Sequence, residues 1–131
     1  MATLATAEQF FDFADRLALV STQVLIFRLR NRATSTEEER QELERIEGEL
    51  DRATAEARAK GIEEIAAAIQ NDREEIEQAC VDAEALLKRI RKAERAIGIA
   101  LAVLGLAAAV TSNNPTAIVA ATKNLQKTFK A

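Results

Sequence analysis

Residues 96–110 read AIGIALAVLGLAAAV, a stretch without a single charged side chain, and they decide the fold. A second apolar segment, 117–121, follows after Asn114-Pro115, so the two segments predict a helix–turn–helix. Alanine supplies 27 of the 131 residues, whereas glycine supplies 4 and proline 1, and Trp, Tyr and His are absent. Because the chain is rich in helix formers and poor in helix breakers, it predicts an all-α fold, with residues 1–131 as one domain.

The N-terminal part of the chain predicts an amphipathic helix from about Ala7 to Ala33, because apolar residues recur there at spacings of three and four. A second apolar row, which includes Leu25 and Leu29, widens the apolar face beyond half of the circumference. Such a helix needs neighbours on several sides. The leading row consists of Phe10, Phe13, Leu17, Val20, Val24 and Phe27.

The second helix is predicted to begin after Thr36, since Thr36 and Glu39 match the capping-box pattern. Its end has two candidates. Gly61 can adopt the left-handed backbone that ends a helix, whereas Asn71-Asp72 offers a turn and a second capping box with Glu75. We favour the turn at Asn71. A third helix then covers residues 73–111, and a fourth runs from Pro115, at its first helical position, to about residue 130.

Helix lengths and short connections predict the packing. Short connections make consecutive helices antiparallel, and at 1.5 Å per residue the second and third helices would be roughly 52 and 60 Å long. Residues 95–111 are therefore expected beside residues 32–48. The sequence predicts an antiparallel, coiled-coil-like bundle of about four helices, with a long central hairpin whose acidic tip lies near residues 60–80.

Charge is distributed unevenly along the chain, although the net charge is only −3. Residues 36–84 carry 17 acidic and 6 basic side chains, whereas residues 85–131 carry one acidic side chain, Glu94, and eight basic ones. Such asymmetry bears on association rather than on fold. An antiparallel dimer would bring the acidic part of one chain near the basic part of the other.

Side chains suited to catalysis or metal binding are scarce. Without histidine, the chain lacks the commonest general base and the commonest transition-metal ligand. Cys80 has acidic neighbours in the sequence, which raise the pKa of a thiol instead of lowering it, so we interpret it as a small core residue. A salt bridge with Arg91 or Arg95 accounts for Glu94. We expect no enzyme activity, no cofactor and no metal.

Gly98 and Gly105 lie within the apolar stretch 96–110. Because glycine inside a helix costs about 1 kcal/mol relative to alanine, the pair predicts close helix packing, in a soluble bundle, in an oligomer or in a membrane. Basic residues flank both ends of the apolar hairpin, as expected at an anionic surface. The cations expected to contact such a surface are Lys88, Arg89, Arg91 and Lys92. However, residues 96–110 reach only about 22 Å, short of a hydrocarbon core of roughly 30 Å.

These features predict a non-catalytic protein that binds a protein partner or its own copies, in the manner of adaptor, immunity or chaperone-like proteins. The alternative is a membrane-active protein that inserts the apolar hairpin 96–121, a layout that resembles that of α-helical pore-forming toxins. The face assigned to self-association or membrane contact comprises Phe10, Phe13, Leu17, Val24, Gly98, Leu101, Leu104, Gly105 and Ile118.

Two further expectations concern partners and location. Nucleic-acid binding is not expected, because the chain is acidic overall and its basic clusters have no aromatic stacking platform nearby. The N-terminal residues lack the basic flank and apolar run of a signal peptide, so a cytoplasmic location is the default. A signal-independent secretion route stays open.

Overall fold

The structure, a computed structural model, describes residues 12–130. Over this range the chain forms helices and no strands, which confirms the predicted all-α fold for the described residues. The helices number six, not about four, because two of the predicted long helices are divided. They are α1 (Phe13–Arg30), α2 (Glu37–Lys60), α3 (Ile62–Ala68), α4 (Arg73–Arg89), α5 (Ala93–Thr111) and α6 (Pro115–Thr128).

Two of the predicted helix starts are confirmed by their caps. The Glu39 backbone N–H donates to Thr36 Oγ1 at 3.1 Å, and the Thr36 N–H donates to Glu39 Oε1 at 2.9 Å, which completes the capping box of α2. At the start of α6, the Ala117 N–H donates to Asn114 Oδ1 at 3.2 Å, with Pro115 in the first turn. Each cap satisfies a backbone donor that the first helical turn leaves free. Helix α1 begins at Phe13 after an extended N-cap at Asp12, and the part of the predicted helix that starts at Ala7 lies outside the described residues.

The chain turns at both of the positions that were candidates for the end of the second predicted helix. Gly61, with φ +92° and ψ 152°, ends α2, and the chain turns again between Ile69 and Asp72 before α4. Asp72 is the N-cap residue of α4, as predicted, but the predicted capping box is wrong, because the Asp72 side chain makes no capping hydrogen bond. Between the two breaks, α3 folds onto the core and buries Ile65 and Ile69. The expected protruding acidic tip is therefore replaced by a short helix packed over one end of the fold.

The third predicted helix, 73–111, is divided at residues 90–92. Ile90 and Lys92 have extended backbones, so the chain reverses there and α5 starts afresh at Ala93. As a result the end of α5 lies beside the end of α2 and not, as predicted, beside its start. Residues 49–56 of α2 and 104–111 of α5 line a shared groove, and Lys60 Nζ donates to the carbonyl oxygen of Thr111.

The helices enclose one hydrophobic core. Helix α1 packs against α2, α4 and α5, while α6 packs against α5 and α4. Arg95 in the first turn of α5 donates to the carbonyl oxygen of Phe129, just beyond α6, at 2.9 Å, so α5 and α6 are antiparallel. The largest fully buried side chains are Phe13, Phe27, Leu17, Leu43, Ile46, Leu50, Ile69, Ile76, Leu87, Ile99, Leu106 and Ile118.

Candidate interaction surfaces

One side of α1 is fixed to α2 by polar contacts. These contacts run in opposite sequence order along the two helices, so α1 and α2 are antiparallel. They join Asp15 to Arg58 at 3.1 Å, Ser21 to Asp51 at 2.7 Å and Arg28 to Glu47 at 2.5 Å. The hydrogen bond that Arg28 donates to Glu47 raises the pKa of Arg28, so this guanidinium stays charged.

The other side of α1 is fixed to α4. Arg16 pairs with Glu84 at 3.1 Å, and Arg30 donates to the carbonyl oxygens of Leu87 and Ile90, each at 3.1 Å. These carbonyl groups belong to the last turn and the C-cap of α4, where helix acceptors lack intrahelical partners. With α2 on one side and α4 on the other, α1 can rotate little about its axis. The positions that point away from both neighbours are therefore fixed as a solvent-facing surface.

This surface, which we call the α1 outer face, consists of Leu19, Leu25, Ile26 and Leu29. Their exposed fractions range from 37% to 58%, and they account for four of the six exposed large hydrophobic side chains among the described residues. Thr22 lies between them and donates its hydroxyl to the Ala18 carbonyl oxygen at 3.0 Å, so its own polar group is satisfied. An exposed aliphatic cluster of this kind is typical of a surface that meets a partner.

The spacing within the α1 outer face follows a heptad. Leu19, Thr22, Ile26 and Leu29 lie three or four residues apart in strict alternation, which is the spacing of a coiled-coil seam. Phe13, Leu17, Val20, Val24 and Phe27 occupy the opposite side of the helix and are buried. Helix α1 is thus apolar on two opposite sides, and the fold covers only one of them.

The structure distributes the predicted self-association residues over the core and the surface. Phe10 lies outside the described residues. Phe13, Leu17, Val24 and Ile118 are buried at 1% exposure or less, so they are core residues in this fold and offer no surface to a partner. On α5, Leu104 is half-buried, whereas Gly98, Leu101 and Gly105 are exposed and form a second, narrower apolar strip.

The two glycines of α5 do not lie against a neighbouring helix. A Cβ atom built on Gly98 or on Gly105 would have nothing within 4 Å apart from its own helix backbone and chain neighbours. The prediction of close packing within the fold is therefore wrong for both positions. Their side of α5 faces away from α1, α2 and α6, and the apolar character of the stretch reflects the other, buried sides of the helix.

The predicted anionic-surface residues are all exposed. Lys88, Arg89, Arg91 and Lys92 surround the reversal between α4 and α5, and none of the ion pairs among residues 12–130 includes them. Lys88 and Arg89 occupy the last turn of α4, where positive charge stabilises the carboxyl end of a helix dipole. A structural role at the helix terminus therefore accounts for part of this basic cluster.

Among residues 12–130, no group of three or more His, Cys, Asp or Glu side chains could hold a metal ion. Cys80 lies on the buried side of α4, and burial raises the pKa of its thiol to about 12. A groove of about 660 Å³ between the start of α1 and the α2–α3 junction is lined by apolar, acidic and basic residues, with no cysteine, serine or threonine.

The chain was compared with protein-family models, curated proteins and solved structures, and none of these comparisons gives a match. The surfaces described above therefore carry the functional argument by themselves. Sequence reasoning noticed Leu25 and Leu29 as a second apolar row but did not assign Leu19 and Ile26 to it. The heptad formed by positions 19, 22, 26 and 29 is the signal that would have defined the face.

Proposed function

We propose that this protein is a non-catalytic binding protein that self-associates, and that the α1 outer face is its binding surface. The single observation that carries this proposal is the exposure of four large aliphatic side chains on one side of a helix that is otherwise fixed in the fold. Burying such side chains against a partner removes apolar area from water, which favours association.

The heptad spacing of the face supports helix-to-helix packing of the coiled-coil type. Knobs at positions 19, 22, 26 and 29 would insert between side chains of a facing helix. A contact that involves one helix from each subunit lies at the small end of protein interfaces, so we expect a dissociation constant in the micromolar range.

A membrane-active protein is the second candidate, since α5 is long and apolar enough, by length and composition, to cross a membrane. Against this, 56% of its apolar window is buried inside the fold, and Ile99, Val103, Leu106 and Val110 contribute to the core. Inserting the hairpin 96–121 would require the core to open. The exposed cations near α5 could hold the folded protein at an anionic surface without any insertion.

Sedimentation equilibrium of the wild type and three variants tests the proposal. We expect a dimer in the micromolar range for the wild type and at least about tenfold weaker association for Ile26→Gln/Leu29→Gln. Ile62→Gln is the matched control, because Ile62 is also an exposed aliphatic residue, at 52%, but lies on α3. Leu101→Gln tests the strip on α5. A wild type that stays monomeric, or association lost only in Leu101→Gln, would contradict the proposal.

Co-flotation with anionic vesicles tests the second candidate. Binding that disappears when Lys88, Arg89, Arg91 and Lys92 are changed to Gln, with unchanged helicity, would favour a membrane surface as the partner. We expect the folded wild type to remain unbound at physiological salt, because screening weakens contacts with exposed charges.

A further inference from the structure

We infer that the occupant of the α1 outer face is the same face of a second copy, in antiparallel orientation about a two-fold axis at the level of Val24. This inference rests on the proposed function and adds the partner and its orientation. A two-fold interface brings identical surfaces together, so a face can serve both subunits only if it is complementary to itself.

The first argument is the symmetry of the face. Positions 19 and 29 lie at equal distances on either side of position 24, and so do positions 22 and 26. With the axis at Val24, Leu19 would oppose the partner's Leu29, and Thr22 would oppose the partner's Ile26. Every large aliphatic residue of the seam then meets an aliphatic residue or the methyl-bearing Thr22, and no charged side chain enters the seam.

The second argument is charge. Asp15 is exposed near the amino end of α1, where its Oδ1 also pairs with Arg58 of the same chain at 3.1 Å, and Arg32 is exposed just beyond the carboxyl end of α1. Antiparallel pairing brings Asp15 of each chain near the partner's Arg32 at both ends of the contact. Parallel pairing would place Asp15 beside Asp15 and Arg32 beside Arg32, which is unfavourable. Arg32 is free for this contact, since no ion pair of residues 12–130 involves it.

Disulfide trapping distinguishes the two orientations. In the antiparallel dimer, position 19 faces position 29 of the partner, whereas two copies of position 19 are about 15 Å apart along the axis. Because a disulfide needs Cα atoms within about 7 Å, Leu19→Cys and Leu29→Cys should form covalent dimers only when the two variants are mixed. Ala120→Cys, exposed on α6, mixed with Leu19→Cys measures random collisions. Native Cys80 is buried and does not interfere.

The outcomes separate this inference from the proposed function. Cross-linking of each single variant with itself, in a protein that still dimerises, would overturn the antiparallel orientation and leave self-association standing. A dimer in sedimentation without any of these cross-links would overturn the register. A monomer at all concentrations would overturn both.

Charge reversal gives a second measurement that needs no cysteine. Asp15→Arg and Arg32→Asp should each weaken association about tenfold, because two attractive pairs per dimer become repulsive. The double variant restores both pairs between the chains with exchanged charges but leaves Arg58 without Asp15, so it should associate more tightly than either single variant. Equal association in all four proteins would contradict the antiparallel arrangement, since parallel chains have like charges opposed in every case. Circular dichroism of each variant checks that the helices are intact.

Discussion

Arg28 of α1 and Glu47 of α2 are joined at two points: the guanidinium donates from Nε and from a terminal nitrogen to both carboxylate oxygens, at 2.5 and 3.2 Å. Both side chains are mostly covered, with 22% and 14% of their surfaces exposed. The pair lies on the side of α1 opposite to α4, so it helps to fix which residues of α1 point outward. The exposure of the α1 outer face thus depends on the seating of α1 against α2.

Replacing Glu47 by Gln should lower the free energy of unfolding by about 1–2 kcal/mol, because it leaves a partly buried guanidinium without its counter-charge. Urea unfolding measures this change. Glu42→Gln is the control: Glu42 pairs with Arg45 on the exposed side of α2, where solvent screens the interaction, so little change is expected. Equal effects of the two substitutions would show that the Arg28–Glu47 pair does not hold α1 in place.

Replacing Gly61 by Ala should destabilise the protein by about 1–3 kcal/mol, since φ +92° with ψ 152° is a conformation reserved almost entirely for glycine. The added Cβ would meet no neighbour, so the cost is conformational. Gly48→Ala, also without steric conflict but inside α2, should stabilise by about 1 kcal/mol. Asp72→Ala should have little effect. A turn formed at Asn71 alone would give a small gain at Gly61 and a loss at Asp72.

Two leucines on α5 should respond differently to the same substitution. Leu106 is fully buried, so Leu106→Ala should cost roughly 2–5 kcal/mol of unfolding free energy through lost burial and a cavity. Leu101 is 42% exposed, and Leu101→Ala should cost well under half as much. Chemical unfolding of both variants checks the orientation of α5. A larger loss at Leu101 than at Leu106 would mean that α5 is rotated about its axis.

The Cys80 thiol predicts a pH dependence in the alkaline range. Its pKa is about 12 in the folded chain against 9.0 for the ordinary thiol, so the unfolded chain loses this proton first and rising pH favours unfolding. The stability of the wild type relative to Cys80→Ala should fall by about 1.4 kcal/mol between pH 8 and pH 10. Subtracting the variant removes the contribution of the other titrating groups. A constant difference over this range would contradict the burial of Cys80.

The capped helix starts were predictable from sequence because they depend on local chemistry. Thr36 with Glu39, and Asn114 with Pro115, place the right donors and acceptors within one turn. The reversal at Ile90–Lys92 was not predictable in the same way, because no glycine, proline or side-chain cap marks it. Missing this break extended the predicted helix to residue 111 and made α5 antiparallel to α2, whereas the ends of the two helices lie together in the structure.

The exposed face of α1 was also only partly predictable. Periodicity identified an apolar circumference larger than one neighbour could cover, but it could not tell which side the fold would bury. That depends on packing between residues far apart in the sequence, such as Arg28 with Glu47 and Arg16 with Glu84. The row that contains Phe13 and Leu17 became core, and Leu19 and Ile26 remained outside.

A dilution series followed by methyl NMR tests the central claim, self-association through the α1 outer face, most directly. From millimolar to low micromolar protein, we expect concentration-dependent chemical shifts for the methyl groups of Leu19, Ile26 and Leu29. Those of Ile62 and Leu101, which are similarly exposed on other helices, should stay constant. Constant shifts at Leu19, Ile26 and Leu29 over the whole range, or shifts confined to Leu101, would contradict the account.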